Sequence, residues 1–113
     1  MDDATRDLIR YRIEKANEEL EFSKELFGKN RFAKSINCSY YSMFHATRAL
    51  LAVKKIDSKK HSGVIKLFNS SFIKSGEIQS QYYKFLSSGF NNRLQSDYHD
   101  FYIASRNNAE TQI

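Results

Sequence analysis

Near its C-terminal end the chain reads RLQSDYH, residues 93–99: an arginine, five intervening residues and a histidine. An arginine guanidinium holds two phosphate oxygens through its planar fork and offsets the charge that grows in a phosphoryl transition state. A histidine of ordinary pKa takes a proton from a ribose 2′-hydroxyl or gives one to a leaving oxygen. Arg93 and His99 are therefore a candidate catalytic pair for cleaving RNA without a metal. A plainer reading stands beside it. Arg93 and Asp97 are four apart on one helix face, where an exposed ion pair contributes about 0.3–0.5 kcal/mol. On an unbroken helix Arg93 and His99 point about 120° apart. They act together only if the helix ends near Tyr98, or if two copies of the chain bring their pairs to a shared cleft. A second basic stretch, SKKHSG at 58–63, offers Lys59, Lys60 and His61 to a phosphate at a helix start, where backbone N–H groups also favour anions. It equally reads as a solvated loop with His61 capping or packing locally.

Other chemistries find less support. The three histidines, His45, His61 and His99, do not pair with each other or with a cysteine at metal-ligand spacing, and no His-Glu-x-x-His occurs. Neither a metal nor another cofactor is expected. The single cysteine, Cys38, excludes an intramolecular disulfide and reads as a small core or half-buried residue rather than a nucleophile. Glycine-rich phosphate loops are absent.

The net charge of +5 is unevenly spread. Residues 1–30 hold six basic and eight acidic side chains, residues 31–76 nine basic and one acidic, and residues 77–113 three basic and four acidic. A basic middle suits a nucleic acid, a phosphate ligand or an acidic partner protein, or is an ordinary solvated surface. No apolar run reaches the roughly 18 residues a membrane helix needs. The acidic start MDDATRDLIR is unlike a signal peptide. A reduced, cytoplasmic protein without a membrane role is the expectation.

The elements that must position these residues are helical. The chain has 113 residues with no proline and four glycines, enough for one domain built on long helices. Ile9, Ile13, Ala16, Leu20, Ser23 and Phe27 share one face of a helix over about 3–27, with Gly28 placed to cap it and Asn30 to start the next. A second helix over about 31–54 carries Phe32, Ile36, Tyr40, Met43, Phe44, Thr47, Leu50 and Leu51. Beside that stripe runs another, Lys34, Cys38, Tyr41, His45 and Arg48, which either lines a cleft or marks the boundary of core and water. Residues 54–63 read as a loop, with Ser58 or Ser62 capping a third helix that stops near Gly76. A fourth begins around Glu77, with Gly89 marking a bend or a close helix contact. After Asp97-Tyr98 the chain reads as irregular to about residue 103, and Ser105 starts a fifth helix that looks truncated. The fold class is all-α, an antiparallel four- to five-helix bundle over a single domain, 1–113.

Three blocks together, CSYYSMFHATRALL (38–51), SKKHSGVIKLFNSSFIKSGEI (58–78) and RLQSDY (93–98), resemble the HEPN domain, in particular its small prokaryotic, toxin–antitoxin-like branch. The resemblance implies an up-and-down helical bundle, commonly a homodimer, in which an Arg and a His a few residues apart form a composite metal-independent RNase site. Carried over, Arg93 is the family arginine and His99 the family histidine, with Asp97 and Tyr98 beside them as substrate-binding residues. Leu94 stands where active members often have a polar residue, and Phe101 where one toxin subgroup has a modified tyrosine. In the branch most resembled, the recurring feature is Arg with Asp-Tyr. Other HEPN domains are non-catalytic, binding a nucleotide or partnering a small nucleotidyltransferase. Both readings remain open from the sequence.

Overall fold

The computed structural model describes residues 1–98. They form α1 (Asp3–Gly28), α2 (Phe32–Val53), α3 (His61–Phe68), a π-helical turn over Asn69–Ile73, and α4 (Ser80–Tyr98). No strand occurs among the described residues, so the all-α expectation holds. The helix expected from Ser105 lies outside the described residues, as do His99, Phe101 and Tyr102. Among the described residues no helix is long and apolar enough to cross a membrane.

Turn chemistry sets the α1–α2 hairpin. Asp2 caps α1 by accepting the Thr5 N–H at 2.7 Å. At the other end Asn30 has a positive φ of 59°. The Arg31 N–H reaches the Leu26 carbonyl at 2.8 Å and the Asn30 N–H the Phe27 carbonyl at 3.0 Å. That pattern closes a helix around one left-handed residue. Sequence spacing assigned the cap to Gly28 and a helix start to Asn30. Instead Gly28 is the last residue of α1, and Asn30, which tolerates the left-handed region, takes the turn. The end of α2 repeats the motif: Lys55 has a φ of 57°, and the Ile56 N–H reaches the Leu51 carbonyl at 3.1 Å. Ile56 then packs onto the core. A lysine in this conformation costs about 1 kcal/mol more than a glycine. Lys55→Gly is therefore expected to raise the urea midpoint, by about 0.5 kcal/mol of stability after loss of the exposed Lys55–Asp2 ion pair. A lowered midpoint would show that the ion pair matters more than the backbone strain.

The two faces of α2 do different work. Toward α1 the seam is made of small residues: Ala16, Ser23, Ser35 and Ser39 are buried. The Ser23 hydroxyl donates to the Ser35 carbonyl and the Ser35 hydroxyl to the Ser23 carbonyl, both at 2.8 Å. Ser23 and Ser39 share a hydrogen bond, and Ser42 donates to the Ala16 carbonyl at 2.7 Å. Short hydroxyls let the backbones approach and leave no buried donor unmet. The expected α1 stripe is partly displaced: Ile13 is 48% exposed, whereas Arg12 is 7% exposed. The reason is a half-buried ion pair between Arg12 and Asp57. On its opposite side α2 contributes Tyr40, Phe44 and Leu51 to a core with Val64, Ile65, Phe68, Phe72 and Leu86. Burying each such large apolar side chain stabilises by about 1.5–3 kcal/mol, which docks α3 and α4 onto α2.

The third helix does not run unbroken to Gly76. Lys74 N–H reaches back to the Asn69 carbonyl at 2.9 Å, widening the last turn, and the chain then turns through Gly76 at φ +79°. α4 starts at Ser80 rather than near Glu77. Glu77 is drawn instead to Lys54, at 2.7 Å, and to the Ser75 hydroxyl, at 3.1 Å. Gly89 is buried within an unbroken helix, which favours the close-contact reading over a bend. The fold thus sets the first residue of α3 and the fourth turn of α4 against one flank of α2.

Candidate functional site

Of the five residues in the second stripe of α2, Tyr41 meets both α3 and α4, at a partly exposed junction of the three helices that forms the candidate cleft. Lys34 at its start is exposed. Cys38 is half-buried, its thiol pushed up to about 11 by burial and by the Glu19 carboxylate, so it is protonated and unreactive at neutral pH. Tyr41, His45 and Arg48 are half-buried: Tyr41 meets His61 of α3 and Arg93 of α4, while His45 and Arg48 lie against the Tyr41 and Phe44 rings of their own helix.

His61, the first residue of α3, enters an aromatic nest. Its ring lies 4.1 Å from the Phe44 ring at an interplanar angle of 11°. Phe90 stacks on it at 6.0 Å and Tyr40 at 5.7 Å, and Tyr41 meets it edge-on at 5.8 Å. The Tyr40 hydroxyl is 2.7 Å from His61 Nδ1. Tyr40 is fully buried, and burial holds its phenol well above the usual range, with the nearby Arg93 charge opposing. The Tyr40 proton therefore stays on and needs an acceptor, which Nδ1 supplies. That assignment puts the imidazole proton on Nε2.

Arg93 arrives from α4 on the same rings. Its guanidinium carbon is 5.3 Å from the Tyr41 ring centroid and 5.9 Å from that of Tyr40, close enough for cation–π attraction. Burial lowers the pKa of His61, and the positive charges of Arg93, Arg48 and His45 lower it further. His45 is lowered by burial too, with Glu19 pulling it up and Arg48, Lys15 and Arg12 pushing it down. Both imidazoles are neutral at pH 7.

A histidine whose folded pKa lies below its unfolded value of about 6.5 binds fewer protons in the folded state. Its contribution is fully present above pH 6.5 and declines as pH falls through the window below it. Stability is expected to decline from about pH 6.5 downward. His61→Gln should make that decline shallower by the share of one titrating group. An unchanged slope in urea midpoints across this range would count against a depressed His61.

The loop that delivers His61 is pinned by Asp57, which sequence reading passed over. Arg48 grips its carboxylate bidentately, Nε at 3.1 Å and a terminal nitrogen at 2.7 Å. Arg12 of α1 donates to the same carboxylate at 3.0 Å and to the Arg48 carbonyl at 3.0 Å. The Arg48 hydrogen bonds, the Ser58 N–H and the Arg12 charge hold Asp57 down at about 2, against a smaller opposing effect of burial. One signal was available: Asp57 is the single acid among nine bases in residues 31–76. The serine caps expected for α3 are corrected as well. Lys60 precedes the helix without a side-chain cap, Ser62 lies inside it, and the Ser58 hydroxyl instead accepts the Lys60 N–H at 3.3 Å. A Cβ at Gly63 would collide with the Ser58 side chain, so the glycine is what lets this turn fold against α3.

Of the residues singled out by sequence, Arg93 and His61 are brought together. Lys59 and Lys60 are exposed immediately before His61. Asp97 and Tyr98 fall on the last turn of α4 as described, and His99 lies outside the described residues. Among the described residues no group of His, Cys, Asp and Glu side chains is placed to hold a metal ion. Away from the cleft, an apolar groove of about 400 Å³ runs between α2 and α4 and is lined by Met43, Leu50, Ile78, Tyr82 and Phe85 among others.

Comparison with known proteins adds a family. A family profile described as HEPN domain matches residues 9–113. A Methanocaldococcus jannaschii protein, provisionally named a toxin, is 40% identical over 86 residues, covering 76% of this chain and 58% of that protein. A second provisionally named toxin from the same organism is 37% identical over 93 residues, 82% of this chain and 69% of its own length. A UPF0332 protein of Pyrococcus horikoshii is 43% identical over 79 residues, 70% of this chain and 56% of that protein. The match thus spans little more than half the length of the first and third of these relatives.

Proposed function

The chain belongs to the HEPN domain family, and on that premise we propose that it is a toxin-like, cytoplasmic RNA-binding protein that cleaves RNA without a metal, as a homodimer. The observation that carries this reading is the seat of Arg93: a guanidinium held on the Tyr40 and Tyr41 rings, next to a neutral imidazole. In this reading Arg93 holds the scissile phosphate and His99 moves the proton between the 2′-hydroxyl and the leaving oxygen. Lys59 and Lys60, exposed beside the cleft, steer the polyanion by long-range attraction, and Asp97 and Tyr98 border the substrate. Toxin naming of two relatives agrees with this reading. The direct test is incubation of the full-length protein with RNA in the presence of EDTA. Cleavage that leaves 2′,3′-cyclic phosphate ends is expected; intact RNA would overturn the nuclease reading.

A second reading is favoured by the half-buried Tyr41 ring beside Arg93. A base stacked there with its phosphate on Arg93 would make the domain a non-catalytic nucleotide-binding module, or the partner of a small nucleotidyltransferase. Either reading accommodates a homodimer whose interface includes the end of α4. At the opposite, N-terminal end of α4, Tyr82 and Phe85 are about half exposed, at 50% and 52%, and offer further apolar surface for a second copy to cover. Light scattering of the full-length protein at high micromolar concentration is expected to give twice the chain mass, and a monomer mass would exclude the dimer.

A further inference from the structure

We infer that His61 and Arg93 form a two-donor clamp for a phosphate group, with the Tyr40 hydroxyl positioning His61 as the neutral donor. The inference rests on the reading that this cleft handles the phosphates of RNA or a nucleotide. It adds a residue from a different helix, 32 positions before Arg93 in the chain.

Tyr40 is fully buried and its hydroxyl lies 2.7 Å from Nδ1. If Nδ1 carried the proton, the tyrosine hydrogen would lose the acceptor the structure gives it, leaving a buried donor unmet. With Nδ1 accepting, both groups are satisfied and Nε2 carries the hydrogen. Among the described residues no hydrogen bond to Nε2 is formed. A neutral Nε2–H is a donor and not a base, so His61 holds an oxygen rather than abstracting a proton. Phe44 at 4.1 Å, with Phe90 at 6.0 Å, fixes the ring plane. His61 and Arg93 are each partly exposed, and they share Tyr40 and Tyr41 as neighbours. A guanidinium and a neutral N–H donor that share two ring neighbours and are each partly exposed suit a phosphate. The positive charges that depress His61, those of Arg93, Arg48 and His45, would be offset by a bound anion.

The test uses nitrogen-detected NMR of the imidazoles in the full-length protein, with inorganic phosphate, adenosine monophosphate and a short single-stranded RNA as separate probes. The unliganded protein should show His61 as the Nε2–H form. Phosphate should shift the His61 and Arg93 side-chain signals together and raise the pH at which His61 titrates. His61→Gln and Arg93→Ala should each weaken binding by about tenfold or more. Tyr40→Phe, which keeps the ring and removes only the hydroxyl, should let the tautomer populations mix and weaken binding severalfold. An Nδ1–H tautomer in the wild type, or His61 signals indifferent to phosphate, would overturn the clamp without recourse to any variant. The arms separate the two readings. Binding of phosphate and mononucleotide at His61, with RNA neither bound nor cut, keeps the clamp and removes the RNA reading. RNA cut at an equal rate by wild type and His61→Gln removes the clamp and keeps the RNA reading.

Discussion

Under the proposed mechanism His99→Ala is expected to lower RNA cleavage by about 10²–10⁴-fold, the range contributed by a positioned proton-transfer group, and Arg93→Ala by about 10²–10³-fold, the range for removing one electrostatic donor, both leaving helicity and dimerisation intact. In the proposed mechanism Arg93 supplies charge where the phosphoryl group becomes more negative, so its loss should fall on turnover more than on RNA affinity. Arg93→Lys keeps the charge without the planar fork and should recover only part of the activity. The plainer role assigned to Arg93, an ion pair with Asp97, predicts something else. Then Arg93→Ala changes stability by less than about 1 kcal/mol and His99→Ala does nothing measurable. The two accounts separate on His99: a fully active His99→Ala protein would sink the proposed mechanism even if RNA still bound the lysines before His61.

Asp57→Ala should be the most damaging single change outside the apolar core. It leaves Arg12, 7% exposed, with a buried charge and a lost partner, and it frees Arg48 as well. Stranding a buried charge costs about 3–5 kcal/mol when burial is complete. The Asp57 side chain is 43% exposed, so solvent screening reduces this to roughly 2 kcal/mol. In a domain of this size that lowers Tm by roughly 8–16 °C. The pH dependence has its own sign. Asp57 is held at about 2, below its unfolded value near 3.9. Its contribution is complete above pH 4 and fades as pH falls from 4 toward 2, a window distinct from that of the histidines. Since the same loop carries His61 into the cleft, Asp57→Ala should also perturb the His61 imidazole signals. A melting temperature within a degree of wild type would show that Arg12 finds water or another acceptor instead.

Local patterning was enough to read most of the scaffold. Apolar residues at three- and four-residue spacing, with no proline to interrupt them, leave the backbone little choice but helices, and the Phe32-to-Leu51 stripe names the buried Ile36, Tyr40, Phe44, Thr47 and Leu51. RLQSDY and SKKHSG also pointed to residues of the candidate site, because arginine, lysine and histidine there have no role in an apolar face. Other features depended on partners distant in sequence. Ile13 and Arg12 are neighbours on one helix, and periodicity alone places the isoleucine inside. A carboxylate 45 residues from Arg12 makes burial of the arginine tolerable, and no helical repeat encodes that. The turns followed the same division: Asn30 and Lys55 take left-handed conformations because the hydrogen bonds of the closing helices require them. His61 is the clearest case. In the sequence it belongs to a basic loop beside Lys59 and Lys60. In the fold α3 starts at His61, and the core formed by α2, α3 and α4 sets its ring against Phe44, its Nδ1 against the Tyr40 hydroxyl and its charge state against Arg93. Chain pattern determines which residues are helical and which are cationic. Only packing across three helices decides which nitrogen of that imidazole carries the proton, because the deciding hydrogen bond joins residues 21 positions apart.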